Sequence, residues 1–115
     1  MASKHEKDCK SIINHTGCVS GDLHDVYDGF HALFRFRNGY GASVVSHKYS
    51  YGGDRGLFEL AVIHWADTEW NLSHDTDITN DVLGYLTRND VHKLLDRIEK
   101  LNIYGREESN EQSST

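Results

Sequence analysis

Asn38-Gly39 lies between two runs of alternating apolar residues, and this pair constrains the chain more tightly than any other feature. Phe30, Ala32, Phe34 and Phe36 alternate with His31, Leu33, Arg35 and Arg37. Successive side chains of a strand point to opposite faces, so the first set marks an inner face and the second an outer one. Asn and Gly both tolerate positive φ, which makes the pair a hairpin signal. A two-residue turn would pair Phe34 with Ser43. A three-residue loop with Gly39 as a bulge pairs Phe34 with Ala42 and Ala32 with Val44. The second register matches apolar with apolar and is the one expected, with the returning strand over residues 40–47.

A glycine-rich link over 49–56 leads to a third apolar run, 57–65. A phosphate-cradling loop needs a helix after it, and here a strand follows. That strand is apolar on both sides, the mark of a central position. Asp67-Thr68 then makes a turn into a fourth strand over 69–73, with Trp70 and Leu72 expected to face in. Residues 78–86 fit a helical turn and a short fifth strand equally well. Thr87 with Asp90 three residues on is a capping-box pattern. Val91, Leu94, Leu95, Ile98 and Leu101 follow at helical spacing. The expected fold is therefore α+β: a four-stranded antiparallel meander sheet with one C-terminal helix packed on its inner face. Residues 1–26 read as an irregular polar arm, 27–105 as a single domain and 106–115 as a disordered tail without an apolar side chain.

The formal charge of −6 argues against a broad phosphate-tracking surface, so nucleic acid is not the expected partner. The charge is uneven. Asp67, Glu69, Asp75, Asp77 and Asp81 occupy a stretch with no Lys or Arg, whereas Arg35, Arg37, Lys48 and Arg55 face only Asp54. Cys9, His15, Cys18 and His24 have a zinc-like donor set, but the close Cys pair of a zinc knuckle is missing, and no metal or other cofactor is expected. The His74 to Asp77 cluster lacks the glycine-centred spacing of a calcium loop. No nucleophile elbow, Walker loop, His-Glu-x-x-His or Cys-x-x-Cys occurs, so no catalytic residue is assigned and an enzyme is not expected. No apolar run reaches the ~18 residues of a membrane span, and the N-terminus has no signal-peptide core, which places the expected protein in the cytoplasm.

Residues 38–45 (NGYGASVV), 56–62 (GLFELAV), 75–79 (DTDIT) and 82–87 (VLGYLT) resemble small proteins encoded by tailed bacteriophages, over about residues 30–103. Such relatives are Pro-rich near the Asp-Thr-Asp stretch, and this chain has no proline there. The resemblance implies an accessory phage protein made in the host bacterial cytoplasm, of a kind that binds and disables a host protein. It carries no catalytic residue. The outer face of the first hairpin is the expected contact surface, with His31, Leu33, Arg35, Arg37 and Tyr40, because Arg and Tyr combine contact area with directed donors. The alternative surface is nucleotide-binding: Lys48, Tyr49, Tyr51 and Arg55 interleave stacking rings with phosphate donors.

Overall fold

The computed structural model describes residues 20–26, 29–79 and 81–107. The fold is α+β, an antiparallel sheet with one C-terminal helix packed against it. The strands are β1 (Ser20–Val26), β2 (Gly29–Arg35), β3 (Tyr40–Ser46), β4 (Phe58–Ala66), β5 (Glu69–Leu72) and β6 (Leu83–Leu86), followed by helix α1 (Arg88–Glu99). The order β1-β2-β3-β4-β5 follows the chain, and β6 also pairs with β4.

The sheet thus has six strands rather than four. Ser20–Val26, expected in an irregular arm, pairs along its length with β2, from Ser20 opposite Arg35 to Val26 opposite Gly29. Residues 83–86 settle as a strand. β4 is long enough to share its second edge: Ile63 to Ala66 pair with β5, and Phe58 to Leu60 with β6. The central position expected for this apolar run follows from that double pairing.

The first hairpin has the bulged register. Phe34 faces Ala42 and Ala32 faces Val44. Phe36 N–H donates to Tyr40 O at 2.9 Å, and Gly39 N–H to Phe36 O at 3.1 Å. Gly39 sits at φ 91°, a conformation that a Cβ would disfavour. The inner face carries Phe30, Ala32, Phe34, Val44, Phe58, Leu60 and Val62, all buried, against Val91, Leu95 and Ile98 of α1. A twelve-residue helix is marginal alone in water, so this burial holds it.

Both ends of α1 are closed by side chains. Thr87 accepts from Asp90 N–H at 3.1 Å, and the Asp90 carboxylate accepts from Thr87 N–H at 3.0 Å. These bonds hold the Asp90 carboxyl below the usual carboxylate range. At the other end the donor comes from the hairpin turn. Asn38 Nδ2 lies 2.8 Å from Ile98 O, 3.1 Å from Glu99 O and 2.9 Å from Leu101 O. Its two hydrogens are shared among three carbonyls, of which the helix itself leaves the last ones without donors. Asn38 Oδ1 in turn accepts from Tyr40 N–H at 2.9 Å, which fixes the turn.

Beyond α1 the chain folds back. Leu101 bridges to Glu107, and Arg97 pairs with Glu107 at 2.6 Å. Arg106 donates to Asp75 O at 2.8 Å and reaches Asp77 at 3.3 Å. Arg106 and Glu107 therefore belong to the ordered domain rather than to a tail. No helix among the described residues is long and apolar enough to cross a membrane.

Asn38→Ala is expected to cost about 1–3 kcal/mol in a denaturant melt, because the part-buried Glu99 and Leu101 carbonyls lose the Asn38 amide. Asn38→Asp is expected to cost more than Asn38→Ala, since it sets a carboxylate against the negative end of the helix. Asp90 supplies a pH signature. Its folded pKa is depressed, so its contribution is present above the unfolded value, about 3.9, and is lost as pH falls through the folded one. The stability gap between wild type and Asp90→Asn should hold at pH 6 and close as pH is lowered from about 5 to about 2.

Candidate functional site

The face of the sheet turned away from α1 follows from the register. Ile63 lies opposite Leu72 and Trp65 opposite Trp70. Ile63 also faces Gly41, and Ala61 faces Ser43. Ser43 in turn faces Leu33. Leu33, Ala61, Ile63, Trp65, Trp70 and Leu72 therefore share one surface with His31, Arg35 and Ser43. Trp70 and Leu72 were expected to face in. They lie on the opposite side, because the two-residue turn at Asp67-Thr68 fixes their register against Trp65 and Ile63.

This face is packed, not merely solvated. Ile63 is 0% exposed and Leu33 9%, although no helix covers them among the described residues. The Trp65 indole lies over Gly41 and donates from Nε1 to Phe34 O at 2.8 Å. A Cβ on Gly41 would stand 1.9 Å from that same oxygen and 2.7 Å from Trp65 Nε1. The Arg35 guanidinium lies over the indole ring at 5.3 Å and donates to the Asp67 carbonyl. Asp67, at φ 55°, turns the chain from β4 into β5. Trp70 meets the His31 ring edge-on at 6.3 Å, and His31 Nε2 lies 2.6 Å from Ser43 Oγ. Leu72 stays 47% exposed at the margin.

Of the residues expected on this face, His31, Leu33 and Arg35 are there, with Leu33 as a buried support. Arg37 is not on the strand: it sits exposed in the turn between β2 and β3. Tyr40 is on the helix side, 4.9 Å from the His64 ring and packed against the Gly105 turn. Burial, with the Asp75 carboxylate second, raises its phenol pKa. Trp65, Trp70 and Leu72 were missed as members of the site. Their signal lay in register, which one sequence stretch does not show.

The His31–Ser43 pair has the spacing of a base and a nucleophile. Ser43 lies mid-strand, paired with β2 on one side and β4 on the other. Its surrounding amides are spent in the ladder, which leaves no converging donors for an oxyanion. The pair links β2 to β3 across the outer face. The zinc-like residues Cys9, His15 and Cys18 lie outside the described residues, and His24 is described only through the backbone of β1, opposite His31. Among the described residues no group of three His, Cys, Asp or Glu side chains could hold a metal ion.

The second expected set lies at the other end of β4. Lys48 Nζ stands 5.2 Å from the Tyr49 ring centre. Tyr51 stacks with Tyr85 at 6.3 Å and an interplanar angle of 26°. Tyr49, Tyr51 and Tyr85 are 68%, 60% and 60% exposed. Arg55 ends a short 3-10 turn, Gly53–Arg55, and is exposed too. Tyr85, which the sequence did not mark, sits at φ 57°. No known family, curated protein or solved structure matches this chain.

Gly41→Ala tests the packed face. The Phe34 oxygen is main chain and cannot swing away, so the substitution is expected to destabilise by about 1–3 kcal/mol or more and to shift the Trp65 fluorescence. An unchanged melt would mean that the Phe34 carbonyl and the Trp65 indole do not close on Gly41 as described.

Proposed function

We propose that this chain is a non-catalytic binding protein that engages a protein partner through the outer face of its sheet, centred on Arg35, Trp65, Trp70 and Leu72. The observation that carries the reading is the composition of that face. It bears two tryptophans, an arginine and a half-exposed leucine where an ordinary solvated sheet would carry polar side chains. Trp and Arg dominate binding energies because they bring rigid area and directed donors together. Ile63 and Leu33 beneath them are already buried, which keeps the contact groups in place and lowers the ordering cost of association. The resemblance to small phage proteins supports a host bacterial protein as the partner, and hence a phage inhibitor or host-takeover factor working in the host cytoplasm. The acidic stretch from Asp67 to Asp81 begins in the turn beside Arg35 and favours a partner with basic groups at its rim.

The test is affinity capture from bacterial lysate, with mass spectrometry, using wild type, Trp70→Ala and Leu72→Ser as baits. Leu72→Ser alters an exposed side chain and should leave stability within about 1 kcal/mol of wild type. Wild type is expected to enrich one host protein, with its yield reduced by Leu72→Ser and lost with Trp70→Ala. Equal recovery by all three baits would place the contact surface elsewhere.

A further inference from the structure

We propose that Asn38 is a site of self-modification: when the end of α1 lifts from its side-chain amide, the Gly39 nitrogen attacks that amide, and the aspartate or isoaspartate that results frees α1 from the hairpin irreversibly. Asn38 meets α1, whereas Trp70 and Leu72 lie on the side of the sheet turned away from it, so a failure here leaves the protein-binding face untouched.

The reaction needs an asparagine followed by a residue without a side chain, because the next backbone nitrogen must approach Cγ closely and a Cβ hinders that approach. Of the chain's asparagines, Asn38 alone precedes a glycine. The Gly39 nitrogen gives up its proton and bonds Asn38 Cγ. The Cγ–Nδ2 bond breaks, and Nδ2 leaves as ammonia with that proton. Water then opens the cyclic imide at one carbonyl or the other. One opening restores the ordinary backbone with an aspartate at position 38. The other gives isoaspartate, in which the chain runs through the side-chain carboxyl carbon. No oxidant or reductant takes part.

In the folded chain both reacting groups are held. Nδ2, the leaving nitrogen, lies 2.8 Å from Ile98 O, 3.1 Å from Glu99 O and 2.9 Å from Leu101 O. Oδ1 accepts from Tyr40 N–H at 2.9 Å. The attacking nitrogen of Gly39 donates to Phe36 O at 3.1 Å. An amide pinned at both ends cannot turn its Cγ toward Gly39 while those bonds last, so the reaction passes through a local opening. Buried Ile98 and Leu101 resist that opening. The other ties of this segment, Arg97 to Glu107 and Arg106 to Asp77, are exposed ion pairs and contribute little. Helix ends held in this way open at less than the cost of global unfolding.

Closure after the reaction meets a carboxylate. At neutral pH it has no hydrogen to give, and it would face the Ile98, Glu99 and Leu101 carbonyls at the negative end of α1. Isoaspartate also adds a methylene to the backbone of the loop that sets Phe34 opposite Ala42. Neither product rebuilds the contact. A reversible opening becomes a permanent one, and the molecule carries a one-way timer whose rate is set by how often α1 lifts.

The experiment follows Asn38 in the full chain at neutral pH by peptide-mapping mass spectrometry. Wild type is incubated in native buffer and in urea below and above its melting midpoint, and Ile98→Ala in native buffer. Asn38 is expected to convert at least about tenfold more slowly in native buffer than above the midpoint, with a rate that climbs through the urea series. Ile98→Ala removes a buried anchor and should convert several-fold faster than wild type in native buffer. Anion exchange then separates the modified chains by their added negative charge. In hydrogen exchange these should lose the protection of the Lys100 and Leu101 amides, which bond Arg97 O and Ile98 O, as Asn38→Asp does. Unmodified chains from the same incubation should keep it. The proposal is overturned if Asn38 stays intact in urea, if it converts as fast in native buffer as above the midpoint, or if folded Ile98→Ala converts no faster than wild type. Were Ile98→Ala not to fold, a flat rate below the urea midpoint would overturn it instead. It is equally overturned if the separated modified chains keep the wild-type protection.

Discussion

One side chain joins the two halves of the fold. Asn38 shapes the first hairpin through its Oδ1 and closes the last turn of α1 through its Nδ2. The hairpin sets the inner apolar row, and the helix covers it. Without that donor the Glu99 and Leu101 carbonyls would lose their side-chain partner at the core edge, while Ile98 O would keep the Leu101 N–H. With it, the angle at which α1 lies across β3 and β4 is tied to the same residue that fixes the register of β2 on β3. Strand pairing and helix docking therefore share one polar contact, although hydrophobic burial supplies most of the stability.

The register so fixed decides the two faces. Because the loop has three residues, Ala42 and Val44 fall on the helix side and Gly41 and Ser43 on the other. Gly41 leaves room for the Trp65 indole, which closes on the Phe34 carbonyl and carries Arg35 over its ring. The outer face is thus built by the same turn as the core. It has a floor of Ile63, Leu33 and Ala61 and a margin of larger, partly exposed groups. The opposite end of the sheet is built differently, from a glycine-shaped link that brings Tyr51 against Tyr85.

The hairpin, its bulged register, the long central strand and the capped helix were legible in the sequence, because each has a local pattern: alternation, Asn-Gly, a two-sided apolar run and a capping box. Ser20–Val26 was not. Its SGDLHDV composition gives β2 an edge partner with only Leu23 and Val26 apolar, too few for periodicity to register. β6 was left open because it is four residues long, contains Gly84 and pairs with a shift between Phe58 and Leu60. Trp70 and Leu72 were placed on the wrong face because apolar side chains were assumed to point at the helix, whereas β4 has apolar residues on both sides. Tyr40 belongs with Ala42, two residues on in the same strand, and so shares the helix side that the expected register already implied. The role of Asn38 as a helix cap is sixty residues from its partner in the chain and has no local signal at all.

Native-state hydrogen exchange on wild type and Asn38→Ala measures the coupling between hairpin and helix most directly. In the wild type the amides of β3 and of the last turn of α1 should exchange through one common opening. In Asn38→Ala the protection of both should fall by the same free energy, because one contact supports both. A loss confined to the helix end, with β3 unchanged, would contradict the account and make Asn38 an ordinary cap.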